Sequence, residues 1–92
     1  MHSIGLNTTL KAYAHEHDLH LTENEHYYEL TWRATAEERY IRIDKPHGLV
    51  DAGIKRETQY ETATNLGLLG ANGLPNENLD YYRTAANKHV RR

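Results

Sequence analysis

Between His26 and Lys45, apolar and polar residues alternate with a period of two. In His26–Ala34, Tyr28, Leu30, Trp32 and Ala34 fall on one face, and Tyr27, Glu29, Thr31 and Arg33 fall on the other. In Arg39–Lys45, Ile41 and Ile43 alternate with Tyr40, Arg42 and Asp44. That period is what a strand with one buried face requires, so the two runs predict an antiparallel β-hairpin. Placing Ala34 opposite Arg39, with Thr35–Glu38 as the loop, sets Trp32 across from Ile41 and Leu30 across from Ile43. Both apolar sets then share one side, and a one-residue slip would separate them.

The flanking segments follow a different rhythm. Leu6, Leu10, Tyr13, Ala14 and His17 recur at helical spacing after a capping Asn7 or Thr8, which predicts a helix over Asn7–Asp18. The polar run Thr22–Glu25 and the break Lys45-Pro46-His47-Gly48 bound the hairpin. Ile54–Leu69 carries two patterns. Ile54, Arg56, Thr58, Tyr60, Thr62 and Thr64 alternate as in a strand, whereas Tyr60, Ala63, Leu66, Gly67 and Leu69 suit a helix. The length of the segment and the weak apolar character of the alternating set favour a helix over Glu57–Leu69. Asn76 caps a last helix over Asn76–Val90, with Glu77 and Asp80 in its first turn and basic residues at its end, matching the helix dipole. The prediction is an α+β fold: one domain over 1–92 without a linker, in the order α-β-β-α-α. Three helices cover one face of the hairpin, and a basic tail occupies 88–92.

Composition narrows this further. Ninety-two residues with no Phe, one Trp, one Met and seven Tyr make a thin core. An isolated hairpin is marginal in water, so its apolar face needs helices or a second chain, and a homodimer is expected. The absence of cysteine excludes disulfides, thiolate metal sites and a cysteine nucleophile. Neither a leader peptide nor a stretch of membrane-spanning length is visible, so a cytoplasmic protein without membrane contact is expected. The formal charge is −2, and seven histidines make it sensitive to pH below neutrality.

Three constellations bear on chemistry. In His15-Glu16-His17-Asp18-Leu19-His20, a helix would bring His17 and His20 within one turn, a spacing that zinc accepts. The order departs from the His-x-His-x-Asp-His signature of metallo-β-lactamase-type hydrolases at the acid that positions water. His-x-His with the helical Tyr81-Tyr82 pair likewise departs from single-strand nicking enzymes, since Glu16 stands where a strand-anchoring hydrophobe belongs. The last helix carries Arg83, Asn87, Lys88, Arg91 and Arg92, which would suit phosphate and base contacts in a nucleic-acid-binding regulator. A helix-turn-helix built on Ala63 and Gly67 breaks at Gly70, Gly73 and Pro75. A comparison with double-stranded-RNA-binding domains fails at Asn76-Glu77-Asn78, where those domains place lysines. The third constellation is the outward hairpin face, where Tyr27, Arg33, Tyr40 and Arg42 offer the residue types that most often anchor protein interfaces.

The expected function is accordingly a small non-enzymatic binding or regulatory protein. It would need no cofactor and would act on another protein through Tyr27, Arg33, Tyr40 and Arg42, in the manner of small phage or mobile-element regulators and inhibitors. A nucleic-acid-binding regulator is the alternative, followed by a histidine–metal hydrolase or nuclease using His17 and His20.

Overall fold

The computed structural model describes residues 4–46, 49–57, 59–68 and 76–89, with backbone alone at 4–7, 63–68 and 76–78. The element order is α1 (Ile4–His17), β1 (His20–Glu23), β2 (Tyr27–Ala34), β3 (Glu37–Asp44), β4 (Leu49–Arg56), β5 (Gln59–Leu68) and α2 (Asn76–Lys88). The strands form one antiparallel sheet in chain order, β1-β2-β3-β4-β5. The architecture is therefore a five-stranded meander with a helix at each end, and it replaces the predicted hairpin under three helices. Val50, Ala52 and Ile54 are buried in alternation along β4, so a segment without a clear pattern of its own becomes a strand through its neighbours. Ile54–Leu69 is neither the expected helix nor a single alternating strand: β4 ends at Arg56 and β5 begins at Gln59, which puts Ile54 on the core face and Tyr60 and Thr62 on the opposite one. No helix among the described residues is long and apolar enough to cross a membrane.

The β2–β3 hairpin exists with a different register. Ala34 pairs with Glu37, Trp32 with Arg39, Leu30 with Ile41 and Tyr28 with Ile43. The loop is two residues, Thr35 and Ala36, rather than four, and their φ values of 57° and 65° are both left-handed, as a type I′ turn demands. Neither residue is Gly, Asn or Asp, so the usual sequence signal for such a turn is missing. The register is displaced by two, which preserves parity, and the apolar faces still coincide. A left-handed φ costs a residue with a Cβ about 1–2 kcal/mol. Replacing Thr35-Ala36 by Asn-Gly is therefore expected to stabilise the fold by about 1 kcal/mol or more, measured by urea denaturation.

Leu10, Tyr13 and Ala14 of α1 and Leu79, Tyr82 and Ala86 of α2 pack on Tyr28, Leu30, Ile41, Ile43, Val50 and Ala52. Trp32, Leu19 and Leu21 border this core. Both helices thus lie on one face of the sheet. The register also carries Arg39 onto the core face, beside Trp32 and Ile54. It is only 3% exposed. Its guanidinium donates to the carbonyl oxygens of Ala34 (2.8 Å), His89 (3.0 Å) and Ala86, the last two at the C-terminal end of α2. A buried cation thereby meets carbonyls at the negative end of the helix dipole, where that of Ala86 also accepts from His89 N at 3.3 Å.

Candidate functional site: the open face of the sheet

On the face opposite the helices, period two brings together Tyr27, Glu29, Thr31, Tyr40, Arg42, Asp51, Gly53, Lys55, Tyr60 and Thr62. Glu29 stands across from Arg42, which stands across from Asp51, and Tyr40 is flanked by Thr31 and Gly53. Two register shifts along β4–β5 each put an extra residue on β5. Such bulges bend a strand and increase its local twist. Tyr60 of β5 reaches far enough across the sheet for its hydroxyl to donate to Glu29 Oε2 on β2 at 2.8 Å. Tyr40 has no exposed surface, although among the described residues both helices pack on the other face of the sheet.

Arg42 occupies the centre. Its guanidinium lies 4.3 Å from the Tyr60 ring centre, 5.4 Å from Tyr27 and 5.9 Å from Tyr40. Nη2 donates to Asp51 Oδ2 at 3.2 Å. Tyr40 and Tyr60 meet edge to face with centroids 4.7 Å apart. The Tyr40 hydroxyl donates to Asp51 (3.2 Å) and shares a 3.0 Å hydrogen bond with Thr62. Lys55 Nζ approaches Glu29 Oε1 at 3.3 Å. The two ion pairs leave the cluster close to neutral, and aromatic rings supply most of its bulk.

Burial opposes the charge on Arg42, but attraction to Asp51 and the bond between them outweigh it and raise its pKa. Burial pushes the Tyr40 hydroxyl up to about 12, with a further contribution from Asp51. Burial and the bond to Glu29 push Tyr60 well above the ordinary tyrosine value. Both phenols stay protonated at neutral pH, which suits hydrogen bonding rather than proton transfer.

The structure gathers Tyr27, Tyr40 and Arg42 and sets Arg33 apart. Arg33 is exposed near the β2–β3 turn, where Nη2 donates to the Ala36 carbonyl at 3.2 Å. Tyr60, Asp51, Lys55 and Thr62 complete the cluster but lie on strands that the sequence reading did not assign. The alternating set containing Tyr60 and Thr62 was the available signal.

The residues of the other readings are placed differently. Arg83 Nε donates to the Tyr13 hydroxyl at 2.8 Å, and Nη2 lies 3.6 Å from Asp80. Asn87 Oδ1 accepts from Trp32 Nε1 at 2.7 Å. Lys88 is exposed, and Arg91 and Arg92 lie outside the described residues. The helical spacing of His17 and His20 does not arise, because α1 ends at His17. Asp18, at φ 59°, closes it with bonds from Asp18 N to His15 O (3.4 Å) and from Leu19 N to Ala14 O (2.8 Å). That is a Schellman pattern with aspartate in the usual glycine position. His20 consequently belongs to β1, and His17 packs against Tyr13 with ring centres 4.3 Å apart. Among the described residues, no group of three or more His, Cys, Asp or Glu side chains is placed to hold a metal ion. No protein-family model, no curated protein and no solved structure matches the chain.

Proposed function

We propose that the chain is a small binding or regulatory protein that performs no reaction of its own and docks another protein on the open face of its sheet. The observation that carries this reading is the position of Arg42 among the rings of Tyr27, Tyr40 and Tyr60, fixed by Asp51. Tyrosine and arginine are over-represented among residues that dominate interface energetics. Their side chains are ordered here before any partner arrives, which reduces the entropy lost on binding. A nucleic-acid role has less support, since Arg83 and Asn87 are engaged in packing α2 onto α1 and the sheet.

Tyr27 is half-buried at the margin of the cluster and can be truncated while Arg42, Asp51 and Tyr40 keep their bonds. Affinity capture from the source cells should retain the same protein with the unaltered chain and with Tyr81→Ala on the opposite side. Tyr27→Ala should lose it, with binding weakened about tenfold or more. Equal recovery by all three, with Tyr27→Ala still folded by circular dichroism, would refute the assignment.

A further inference from the structure

On the other side of the molecule, α1 and α2 flank a cavity of about 390 Å³ lined by Thr8, Thr9, Ala12, Tyr13, Glu16, His17 and Asp80. The cavity falls within the size range of small-molecule sites. Its walls divide by chemistry. Ala12 and the tilted Tyr13–His17 ring pair form an apolar side. Thr8 and Thr9 contribute hydroxyls, and Glu16 and Asp80 contribute carboxylates.

The two carboxylates are held differently. Asp80 Oδ1 accepts from the Tyr13 hydroxyl at 2.6 Å, and Arg83 Nη2 lies 3.6 Å away. The Tyr13 bond, with help from the Arg83 charge, keeps the Asp80 carboxyl below its ordinary range, so it is ionised at neutral pH. Arg83 is not among the lining residues and, 3.6 Å from Asp80, offsets part of that charge. Glu16 makes no ion pair among the described residues, and it sits in the last turn of α1, where the helix dipole favours a cation. Glu16 and Asp80 thus place carboxylates on the cavity wall next to an apolar strip.

We propose that this cavity binds a primary ammonium group on a short aliphatic stem, either a free diamine or the side chain of a partner's lysine. The ammonium would bond to Glu16 and the threonine hydroxyls within reach of Asp80, and the stem would lie along Ala12 and the ring pair. Hydrogen bonds between charged groups are the stronger kind, and a methylene stem gains from apolar walls that an inorganic cation could not use. The proposal does not depend on the sheet face.

The test is a titration of the isotopically labelled full chain, followed by amide NMR shifts, with 1,5-diaminopentane, Nα-acetyl-lysinamide and the neutral 1,5-pentanediol. Saturable shifts over Ala12–His17 and at Asp80 are expected in the millimolar range with at least one of the amines, and none with the diol. A response to the diamine alone indicates a free amine as the natural ligand, whereas a response to acetyl-lysinamide indicates a lysine side chain. Glu16→Gln, an exposed change that leaves the Tyr13–Asp80–Arg83 bonds intact, should weaken binding roughly threefold to fivefold. Glu25→Gln, in the β1–β2 connection, should leave it unchanged. No saturable shift with either amine, equal binding of the diol, or indifference to Glu16→Gln would overturn the proposal.

Discussion

Arg39→Met is expected to destabilise the fold by about 3 kcal/mol, because a buried hydrogen bond to a charged group contributes about 1.5–3 kcal/mol and Arg39 makes several. Methionine fills similar space, so the loss reads the hydrogen bonds rather than a cavity. The carbonyls of Ala86 and His89 would lose a shared donor at the end of α2, and that of Ala34 would lose one beside the hairpin turn. Arg39→Lys should recover only part of the loss, since a single ammonium cannot reproduce the planar fork that spans three acceptors. Urea denaturation monitored by circular dichroism measures both variants. Stability within about 0.5 kcal/mol of the unaltered chain, the usual range for an unimportant surface change, would show that Arg39 does not hold α2 on the sheet.

Tyr40→Ala is expected to cost about 3–5 kcal/mol, the range for deleting a buried aromatic ring. For a domain of this size that approaches the whole margin of stability. Tyr40→Phe removes only the hydroxyl bonds to Asp51 and Thr62 and should cost about 1 kcal/mol. The hydroxyl also sets an alkaline limit. The folded state favours the neutral phenol, with its pKa raised from 10.0 to about 12, so this stabilisation is complete below pH 10 and is lost as pH rises towards 12. Tyr13 behaves in the same way for the same main reason, burial, with its hydroxyl also raised to about 12. Chemical denaturation at a series of pH values should show stability falling from pH 10 to 12, with a shallower fall in Tyr40→Phe. Identical slopes for the two proteins would contradict a burial-shifted Tyr40.

The central hairpin was legible because Tyr28, Leu30, Ile41 and Ile43 alternate cleanly, and α2 because Asn76 and the charges at its two ends mark its limits. The register was not legible, because the sequence offers no Asn-Gly or Asp-Gly at Thr35-Ala36 and parity alone cannot separate shifts of two. The fourth and fifth strands were hidden for a related reason. Strand assignment by alternation presumes one apolar and one wet face, whereas Tyr60 and Thr62 of β5 enter a polar cluster that is itself partly buried. Gly53 and Asp51 make sense in β4 only beside Tyr40 and Arg42, a pairing that chain position does not announce. Tyr27 and Arg42 could be nominated from residue type, but their convergence on Tyr60 depended on strands found only in three dimensions.

Strand order identical to chain order gives every pairing in the sheet a nearby counterpart along the polypeptide. The clasp of Tyr13 with Asp80 and Arg83 instead joins segments 67 and 70 positions apart. Closing so long a loop is entropically costlier than folding a hairpin, so the meander has reason to assemble first and the terminal helices to shut over it last. The joint between the two ends of the chain is then where breathing of the native state begins, and its opening bares Leu30 and Ile41 before any strand has parted.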